Sequence, residues 1–408
     1  MKIAFIRSIE IQQSLPSLSR IQKLMPHHTG KLFYTDGICE NTWFSGDSHK
    51  IDENLTCDEI VSVLLEWNPD VVISISLPDN NSMRDALIKE KLRDKNIPMI
   101  MHPIDATNIL CNKWDTISFL RNNNYPVSNS FLISGDLLSK RSIEYLSYKE
   151  MIINKANGMK FPLIVKPLWD SMSLGILKLS TIEDFSSWLD KNAPDTDIIV
   201  EEFLNGELFG MEVVGCPGSY YCQPLIQKCT SKKDNDFVPF DHIRFGPVTN
   251  EKFNIQKLEK QMTLIAESLG LLGSAEFEMI FYEEEFYIIE INPRVSGLTN
   301  LSSTISNNNI YDQLIAIATG NWNPPTKNTY IFTAEVPLIN LNNELKNELE
   351  KEDKIFSINE VVYHDGSSQA KMLIKGNSIE NIYSKLKKIS DDYLVIDSNV
   401  LKELEMVL

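Results

Sequence analysis

The chain has 408 residues, of which 43% are apolar and 23% charged, and its net charge is −17 at pH 7. The length favours two or three domains, and the negative charge argues against nucleic acid or an anionic membrane as a partner. No apolar run approaches the roughly 20 residues that a membrane-spanning helix needs, and no apolar signal region precedes the first strand. We therefore expect a cytoplasmic protein.

The six cysteines form no C-x-x-C pair. Neither a zinc knuckle nor a disulfide framework is indicated, and we expect reduced thiols of a cytosolic protein.

Residues 1–105 alternate short apolar runs with helical patterns. The runs are Ile3–Ile6, Val71–Ile75 and Pro98–His102, and the helical patterns include Cys57–Trp67 and Ser82–Asp94. This order predicts a Rossmann-like parallel α/β domain. No G-x-G-x-x-G follows the first strand, so a dinucleotide-dependent oxidoreductase is not indicated.

The middle of the chain, residues 106–320, has the pattern of a second domain. A helix is predicted at Asp105–Asn122, and strands and helices of a small lid follow at about 126–202. Ser180–Glu183 has the spacing of a capping box that opens a helix. Cys229–Gly246 is a long polar stretch, and loops of this length are often functional. Residues 321–408 are predicted to form a C-terminal α/β extension.

Residues 273–297 have the pattern of a β-hairpin with acidic and amide side chains on one face. Apolar side chains alternate with Glu276 and Glu278 in the first strand, which is the period of a half-buried strand. If the acidic triplet that follows forms the turn, Glu278 lies opposite Glu290 and Glu276 lies opposite Asn292. Opposed like charges are costly unless a cation lies between them, and oxygen ligands suit Mg²⁺ better than zinc. The hairpin therefore predicts a magnesium nucleotide site, with a solvated acidic strand as the alternative.

The run Glu290-Ile291-Asn292-Pro293-Arg294 at the end of this hairpin resembles the metal motif of the ATP-grasp superfamily. The resemblance implies that Glu278, Glu290 and Asn292 hold the Mg²⁺ of MgATP, with Mn²⁺ as an alternative cation. It also implies that Arg294 contacts the transferred phosphate or the acyl substrate. Glu276 is interpreted as a neighbour of the metal ligands.

The same family has an ordered set of nucleotide-binding residues upstream, and matching residues occur here. Lys113 and the strand-end Lys166 match its two lysines, and the turn with Ser171, Ser173 and Gly175 matches the loop that folds over the phosphates.

The stretch Val200–Glu207 resembles the hinge that holds adenine. Glu201 would accept from the adenine amine and the backbone of Phe203 and Leu204 would pair with the ring edge. The neighbouring Glu202 and Glu207 are included as nucleotide-binding candidates. The family usually has a ribose-binding Glu where this chain has Leu208, so the mode of ribose binding stays open.

The resemblance implies an α/β ATP-grasp fold with a Rossmann-like N-terminal domain (1–105), an ATP-grasp domain (106–320) with an antiparallel central sheet and an α+β lid, and a C-terminal extension (321–408). The implied reaction converts a carboxylate into an acyl phosphate, which an amine then attacks.

Among the branches of this family, the chain looks most like the bacterial L-amino-acid ligases, which form dipeptides. On that likeness His242 and Arg244 would lie near the substrate. The turn at Ser296-Gly297 would present N–H groups to an amino-acid carboxylate.

The predicted partners are amino acids, with a homodimer as the default assembly. A ligase that loads a carrier-protein thiol and a non-catalytic sensor are the alternatives.

Overall fold

A computed structural model of the protein describes residues 1–8, 27–37, 46–139, 145–169, 175–191, 196–229, 242–326, 330–351, 355–362 and 368–407. Ser171 and Ser173 of the predicted phosphate turn lie outside these ranges. In the described part of the chain, no helix is both long enough and apolar enough to cross a membrane.

The N-terminal sheet is parallel and, within the described residues, has five strands in the order β3-β2-β1-β4-β5. Its elements are β1 (Lys2–Arg7), β2 (Thr29–Tyr34), β3 (Asp47–Lys50), α1 (Cys57–Trp67), β4 (Val71–Ser74), α2 (Asp79–Arg93) and β5 (Met99–Ile100). The predicted parallel α/β arrangement is confirmed. The order reverses between β1 and β4, and ligands of open α/β sheets bind at the carboxyl ends of strands at such a point.

Two helices connect this sheet to the lid, where the sequence predicted a single helix at Asp105–Asn122. They are α3 (Ile104–Cys111) and α4 (Lys113–Asn122). Asn112 separates them, because its backbone is extended and its side chain accepts hydrogen bonds from the N–H groups of Trp114 and Asp115. An asparagine in this role stabilises a new helix start.

The lid is an antiparallel sheet with the order β6-β9-β7-β8 and with helices beside it. Its capping box forms one residue later than predicted, because Thr181 and Asp184, not Ser180 and Glu183, exchange side-chain to backbone hydrogen bonds of 3.1 Å. The elements of the lid are β6 (Ser130–Ile133), α5 (Gly135–Leu138), α6 (Tyr145–Asn157), β7 (Leu163–Pro167), β8 (Leu177–Leu179), α7 (Ile182–Lys191) and β9 (Ile198–Glu202).

The largest sheet has the order β15-β14-β10-β12-β13-β16-β18-β17, with β11 paired to β10. Its strands are β10 (Glu207–Cys216), β11 (Ser219–Cys222), β12 (Ile226–Lys228), β13 (Arg244–Gly246), β14 (Gly273–Tyr282), β15 (Glu285–Asn292), β16 (Thr333–Leu338), β17 (Ile355–Val362) and β18 (Ser368–Lys375). The strands of the predicted C-terminal extension thus continue the central sheet.

The helices of this region are α8 (Ile255–Ser268), α9 (Thr299–Ser306), α10 (Ile310–Ala318), α11 (Asn343–Leu349), α12 (Ile379–Tyr393) and α13 (Ser398–Val407). Helix α8 packs on one face of β10 and β14, where Phe209, Met211, Phe277 and Met279 are buried. The opposite face packs against α9 through Ile226, Leu298 and Leu373. Helix α10 lies in the core that the central sheet shares with the N-terminal sheet. The face of β10 and β14 that packs against α9 also carries the polar side chains of the candidate site.

Candidate active site

The β14–β15 hairpin has the predicted pairing at its polar end. Glu276 lies opposite Asn292 and Glu278 lies opposite Glu290. The turn is shorter than predicted, because Glu283 and Glu284 alone form it, both with positive φ. A bulge between Glu278 and Met279 adds the missing residue on β15 and restores the predicted register.

The carboxylates of the hairpin are each paired with a lysine. Lys113 Nζ lies 2.8 Å from Glu290 Oε1, and Lys228 Nζ lies 2.6 Å from Glu276 Oε1 and 3.0 Å from Glu278 Oε1. Burial raises the pKa of Glu278; Lys228 opposes this rise, and the negative charges of Glu276 and Glu290 add to it. Burial also disfavours the charged form of Glu276, but Lys228 outweighs it and lowers the pKa of Glu276. The hairpin thus places three carboxylates close together, and nearby cations stabilise their negative charge.

Lys113 reaches the hairpin because of the break between α3 and α4. It is the first residue of α4, and its side chain is buried against β15 by its ion pair with Glu290. Burial disfavours the charge, yet Glu290 outweighs it and raises the pKa of Lys113. This lysine is therefore a charged group of the site.

Arg294 connects the hairpin to the carboxyl edge of the N-terminal sheet. Its Nε donates to Asp79 Oδ1 over 2.7 Å and its Nη2 donates to Asn292 Oδ1 over 3.0 Å. Asp79 begins α2, immediately after the β4 edge where the strand order reverses. The guanidinium is therefore held in one orientation by two partners, one at the start of α2 and one at the end of β15.

A line of charged side chains crosses the same face of the central sheet, from the hairpin into the C-terminal strands. Lys228 of β12 is opposite Arg244 of β13, and Arg244 is opposite Glu335 of β16. Arg244 Nη1 lies 3.5 Å from Glu335 Oε1, and Lys371 Nζ of β18 lies 3.0 Å from the same oxygen. We call Glu276, Glu278, Lys228, Arg244, Glu335 and Lys371 the charged row.

A fully buried glutamate, Glu212, lies beside this row. The hydroxyls of Ser296 and Thr299 donate to its Oε1 over 3.1 and 2.5 Å, and the hydroxyl of Ser302 donates to Oε2. Burial raises the pKa of Glu212 to about 7 against these hydrogen bonds. The backbone N–H of Ser296, which was predicted to bind an amino-acid carboxylate, donates instead to Thr299 Oγ1.

We expect Glu212 to make stability depend on pH. Its folded-state pKa of about 7 exceeds the ordinary value of 4.5, so its contribution to stability is complete below pH 4.5 and is lost as pH rises through 7. At about 1.4 kcal/mol per pKa unit the loss is about 3 kcal/mol. Urea unfolding at pH 5 and pH 8.5 should show a smaller pH difference for Glu212→Gln than for the wild type. Equal differences in both proteins would contradict the assignment.

Gly210 of β10 leaves room for the charged row. A Cβ at this position would lie 2.4 Å from Leu298 Cδ1 and 2.9 Å from Lys228 Cε, so both side chains would have to move. We expect Gly210→Ala to lower the free energy of unfolding by about 1–3 kcal/mol, as overpacking does. Gly158→Ala is the control, since a Cβ there meets only an ordinary contact of 3.5 Å. Urea unfolding measures both, and an equal effect of the two changes would be evidence against the crowding.

The donor set of the hairpin fits a hard cation. No three His, Cys, Asp or Glu side chains form a metal-binding group among the described residues. The candidate set is instead two carboxylates and an amide, with Asn292 Nδ2 3.5 Å from Glu278 Oε1. Mg²⁺ commonly takes few protein ligands and completes its shell with water and substrate phosphates. Glu278, Glu290 and Asn292 would therefore hold Mg²⁺, which would neutralise charge on a phosphoryl group.

The lid contains a further buried ion pair, which joins two of the predicted nucleotide-binding residues. Lys166 Nζ on β7 lies 2.7 Å from Glu201 Oε2 on β9. Glu202 accepts from Asn129 and from the N–H of Lys160. The N–H of Phe203 donates to Pro162 O, so it has a protein partner. Lys166 and Glu201 are thus brought together, while Glu202 and Phe203 connect neighbouring loops.

Two more of the predicted nucleotide-binding residues, Leu204 and Gly175, lie in the described part of the chain. The carbonyl of Leu204 accepts from the N–H of Gly206. Gly175, at the end of the predicted phosphate turn, has the left-handed φ of 72° that glycine adopts readily.

Leu208 and Glu207 lie on opposite faces of β10. Leu208 is opposite Lys228 and Ile280, on the face of the charged row. Glu207 pairs with Lys252 at 2.8 Å, on the other face. The structure therefore brings Leu208, and not Glu207, to the site face, so Glu207 is not placed to replace the family's ribose-binding glutamate.

His242 lies against the C-terminal helix. Its Nδ1 is 2.5 Å from Glu403 Oε1 of α13, and the N–H of Ile243 donates to the other oxygen of Glu403. The described partner of the His242 imidazole is thus Glu403, and the role of His242 at the substrate stays a prediction. Arg244 does lie on the site face, where its Nη1 donates to Gly297 O over 3.2 Å. A Cβ on Gly297 would lie 3.2 Å from the same Nη1, so glycine allows this approach.

Sequence reasoning missed several site residues, which come from segments far apart in the chain. Alternation within β12 puts Lys228 on the same face as the apolar Ile226, and no sequence pattern places that face beside the hairpin. The residues missed are Asp79, Glu212, Lys228, Glu335 and Lys371.

The chain matches the ATP-grasp domain family over residues 110–298. It is 22% identical over 332 residues to a carbamoyl-phosphate synthase of Methanobrevibacter smithii, covering 80% of this chain and 84% of that protein. A carbamoyl phosphate synthase large chain of Lachnoclostridium phytofermentans is 26% identical over 163 residues, which cover 39% of this chain and 15% of that protein.

Solved structures share the fold along nearly the whole chain. The L-amino acid ligase of Bacillus licheniformis has a TM-score of 0.71 at 15% identity, covering 96% of this chain and 97% of that one. The biotin carboxylase domain of the 2-oxoglutarate carboxylase of Hydrogenobacter thermophilus, in complex with MgADP, has a TM-score of 0.72 at 14% identity, covering 97% and 90%. The two scores do not distinguish an L-amino acid ligase from a biotin carboxylase domain as the more similar fold.

The domain match and the shared fold agree with the motif at the end of the hairpin and with Lys113 and Lys166, which precede it in the chain. ATP-grasp enzymes use ATP and Mg²⁺, which the oxygen donors of the hairpin suit. Residues 110–298 of this chain are an ATP-grasp domain, and the chain as a whole has the fold of the L-amino acid ligase described above.

Proposed function

We propose that this protein is an ATP-dependent carboxylate–amine ligase that joins two amino acids. The observation that carries the proposal is the arrangement of Glu278, Glu290 and Asn292 beside Arg294, with Arg294 fixed from both sides by Asn292 and Asp79. The proposal is also compatible with the fold, which is shared with an L-amino acid ligase over 96% of this chain and 97% of that one.

The proposed reaction has two steps. A carboxylate oxygen of the first substrate attacks the γ-phosphorus of ATP, and the bond to the β-phosphate oxygen breaks to release ADP. The amine of the second substrate then attacks the acyl carbon and loses a proton. Its new C–N bond replaces the C–O bond to phosphate, which leaves.

The residues of the site divide between these steps. Lys113 and Lys166 would bind the phosphates of ATP, and Glu201 would bind adenine. Arg294 would stabilise charge on the transferred phosphoryl group and on the tetrahedral intermediate, because its orientation is fixed before the reaction. These assignments need no nucleophilic side chain.

A second candidate is an ATP-dependent enzyme that activates bicarbonate instead of an amino acid. The match to a carbamoyl-phosphate synthase over 80% of this chain favours it, as does the fold shared with a biotin carboxylase domain. In that reaction the same cationic residues would act on a smaller anion.

The decisive experiment measures phosphate release from the purified protein with MgATP and each amino acid singly, then in all pairs, with mass spectrometry of the products. A parallel series contains bicarbonate with each amine. We expect release that depends on a pair of amino acids and a product with the mass of the amide. Release that requires bicarbonate would favour the second candidate, and tight ATP binding without release would favour a thiol acceptor or a sensor.

A cytoplasmic location and a homodimer are part of the same proposal. The biotin carboxylase domain named above is a dimer in its structure, and sedimentation would measure the assembly of this chain.

A further inference from the structure

No step of the reaction proposed above uses Glu212, although this residue lies beside the charged row. Its side chain is fully buried, and its position on β10 is directly opposite Glu276 of β14. Burying a carboxylate is costly unless hydrogen bonds or an opposite charge stabilise it. At Glu212 three hydroxyl groups supply the hydrogen bonds, so this position is built for a carboxyl group.

The three hydroxyls can accommodate Glu212 in both of its protonation states, because a hydroxyl can donate or accept. All three donate when Glu212 is a carboxylate, from Ser296 and Thr299 to Oε1 and from Ser302 to Oε2. When Glu212 is protonated, the Ser302 hydroxyl can donate instead to the carbonyl of Leu298, 3.1 Å away. Uptake of a proton by Glu212 therefore requires only that hydroxyl groups rotate.

Ser296 connects the buried carboxyl group to the reacting groups. It lies two residues after Arg294, and it is partly exposed, whereas Glu212 is not. The Ser296 hydroxyl lies 3.1 Å from Glu212 Oε1, and its oxygen accepts from the N–H of Leu298 over 3.0 Å. A hydroxyl has one hydrogen to donate and can accept two. Ser296 can therefore donate to Glu212 and still accept a hydrogen from a substrate.

The titratable groups around Glu212 come from the elements that pack on this face of β10. Helix α9, which carries two of the three hydroxyls, has no acidic or basic residue in its sequence. The other elements contribute Glu276 of β14, Lys228 of β12, Tyr221 of β11, and Tyr311 and Asp312 of α10. Among these, Glu276 is directly opposite Glu212, and it is paired with Lys228.

These surroundings make Glu212, and not Glu276, a base that works near neutral pH. Burial raises the pKa of Glu212 to about 7, its hydrogen bonds with the hydroxyls oppose this rise, and the negative charge of Glu276 adds to it. Burial also disfavours the charged form of Glu276, but Lys228 outweighs burial and lowers the pKa of Glu276. A base whose pKa is close to the working pH is suited to proton transfer.

We propose that Glu212 accepts, through the hydroxyl of Ser296, the proton that the amine of the second substrate loses before it attacks the acyl phosphate. This inference rests on the proposed function and adds a proton path to it. Ser296 is the group that contacts the substrate, and Glu212 acts through it.

The protons and bonds of this step balance. The ammonium group of the second substrate gives a proton to the Ser296 oxygen, while the Ser296 hydroxyl passes its own proton to the Glu212 carboxylate. The neutral amine then forms the C–N bond, the C–O bond to phosphate breaks, and a second amine proton leaves with the phosphate. Glu212 returns its proton to solvent by the reverse path.

The path also specifies the kind of amine that depends on it. An α-amino group has an ordinary pKa of about 8, so it is mostly protonated at pH 7 and needs a base. Hydroxylamine is mostly unprotonated at pH 7, and it captures acyl phosphates as hydroxamates without such a base. The two acceptors therefore separate proton removal from formation of the acyl phosphate.

The first experiment compares these acceptors at pH 7 with the full-length protein. For the productive pair of amino acids we expect Glu212→Gln to lower kcat at least tenfold. With hydroxylamine in place of the second amino acid, hydroxamate formation should fall less than threefold. Ser296→Ala should show the same contrast. Thr304→Ala is the control and should change neither rate, because this hydroxyl of α9 donates to Asn300 O and not to Glu212.

The second experiment measures the pH dependence of amide formation. The rate of the wild type should rise with pH through an ionisation near 7, where Glu212 becomes a carboxylate. Glu212→Gln should lack this ionisation. Ser302→Ala should move it to higher pH, because the carboxylate loses a hydrogen bond that stabilises its charge. A Glu212 that served only the fold would give none of these changes.

The outcomes separate the proton path from the proposed function. Equal losses of amide and hydroxamate formation in Glu212→Gln would overturn the path and leave the ligase intact. The same pH dependence in wild type and Glu212→Gln would also overturn it. If the wild type forms no hydroxamate with any amino acid, the carboxylate is not activated, and the ligase is contradicted together with the path.

Discussion

Replacing Glu290 by glutamine is expected to lower kcat by at least about a hundredfold, with the fold retained. The side chain lies opposite Glu278 and pairs with Lys113 at 2.8 Å, so it contributes both a proposed metal ligand and the partner of a nucleotide-binding lysine. Loss of one preorganised charge at a reacting centre commonly costs 10²–10³ in rate. Phosphate release at increasing Mg²⁺ measures the effect, and we also expect saturation to need more Mg²⁺.

The matched control for this change is Glu285→Gln. Glu285 begins the same strand, is 45% exposed and lies 3.4 Å from Lys257 across the surface. Exposed ion pairs contribute little, so activity should stay within about twofold of the wild type. An unchanged Mg²⁺ requirement in Glu290→Gln would show that this carboxylate does not serve the metal.

Replacing Arg294 by lysine is expected to lower kcat/KM by about 10²–10³-fold, although the charge is kept. Arg294 uses Nε for Asp79 and Nη2 for Asn292, and a lysine ammonium cannot reproduce this planar fork. Arg93→Lys is the control, since Arg93 is 72% exposed and pairs with Glu90 one helical turn away. Steady-state phosphate release compares the two.

The partner Asp79 allows a double-mutant cycle. Asp79→Asn alone should also lower activity, because Arg294 loses one of its two fixed contacts, and the double variant should lose less than the product of the single effects. Removing one member of a buried ion pair should also lower the free energy of unfolding, by about 3 kcal/mol. Independent, multiplicative effects on activity would show that Asp79 does not position Arg294.

The hairpin was predictable from sequence because its signals are local. Strand alternation puts Glu276 and Glu278 on one face, and the motif at 290–294 fixes the partner strand. Its turn was not predictable in detail. The two-residue turn at Glu283 and Glu284 needs positive φ at both residues, which glutamates adopt rarely. The bulge in β15 compensates for the residue by which this turn is shorter than predicted.

The remainder of the site depends on contacts that no local pattern encodes. Asp79 and Arg294 are separated by 215 residues, and their pairing follows from how the N-terminal sheet packs on the hairpin. Lys371 reaches the row because β18 joins the central sheet beside β16, an order that composition and periodicity do not reveal. The contact between His242 and Glu403, 161 residues apart, is likewise set by the packing of the last helix, and a role of His242 at the substrate stays a prediction.

The continuity of the central sheet has a consequence for how specificity diverges in such proteins. The match to the ATP-grasp domain ends at residue 298, whereas the sheet continues through β16, β18 and β17 to residue 375. The predicted nucleotide residues therefore lie within the matched domain, and Glu335 and Lys371 of the charged row lie outside it. Substitutions in β16 and β18 therefore change residues that the domain match does not include. We therefore expect an exchange of these strands between relatives to leave ATP binding unchanged, which calorimetric titration would measure.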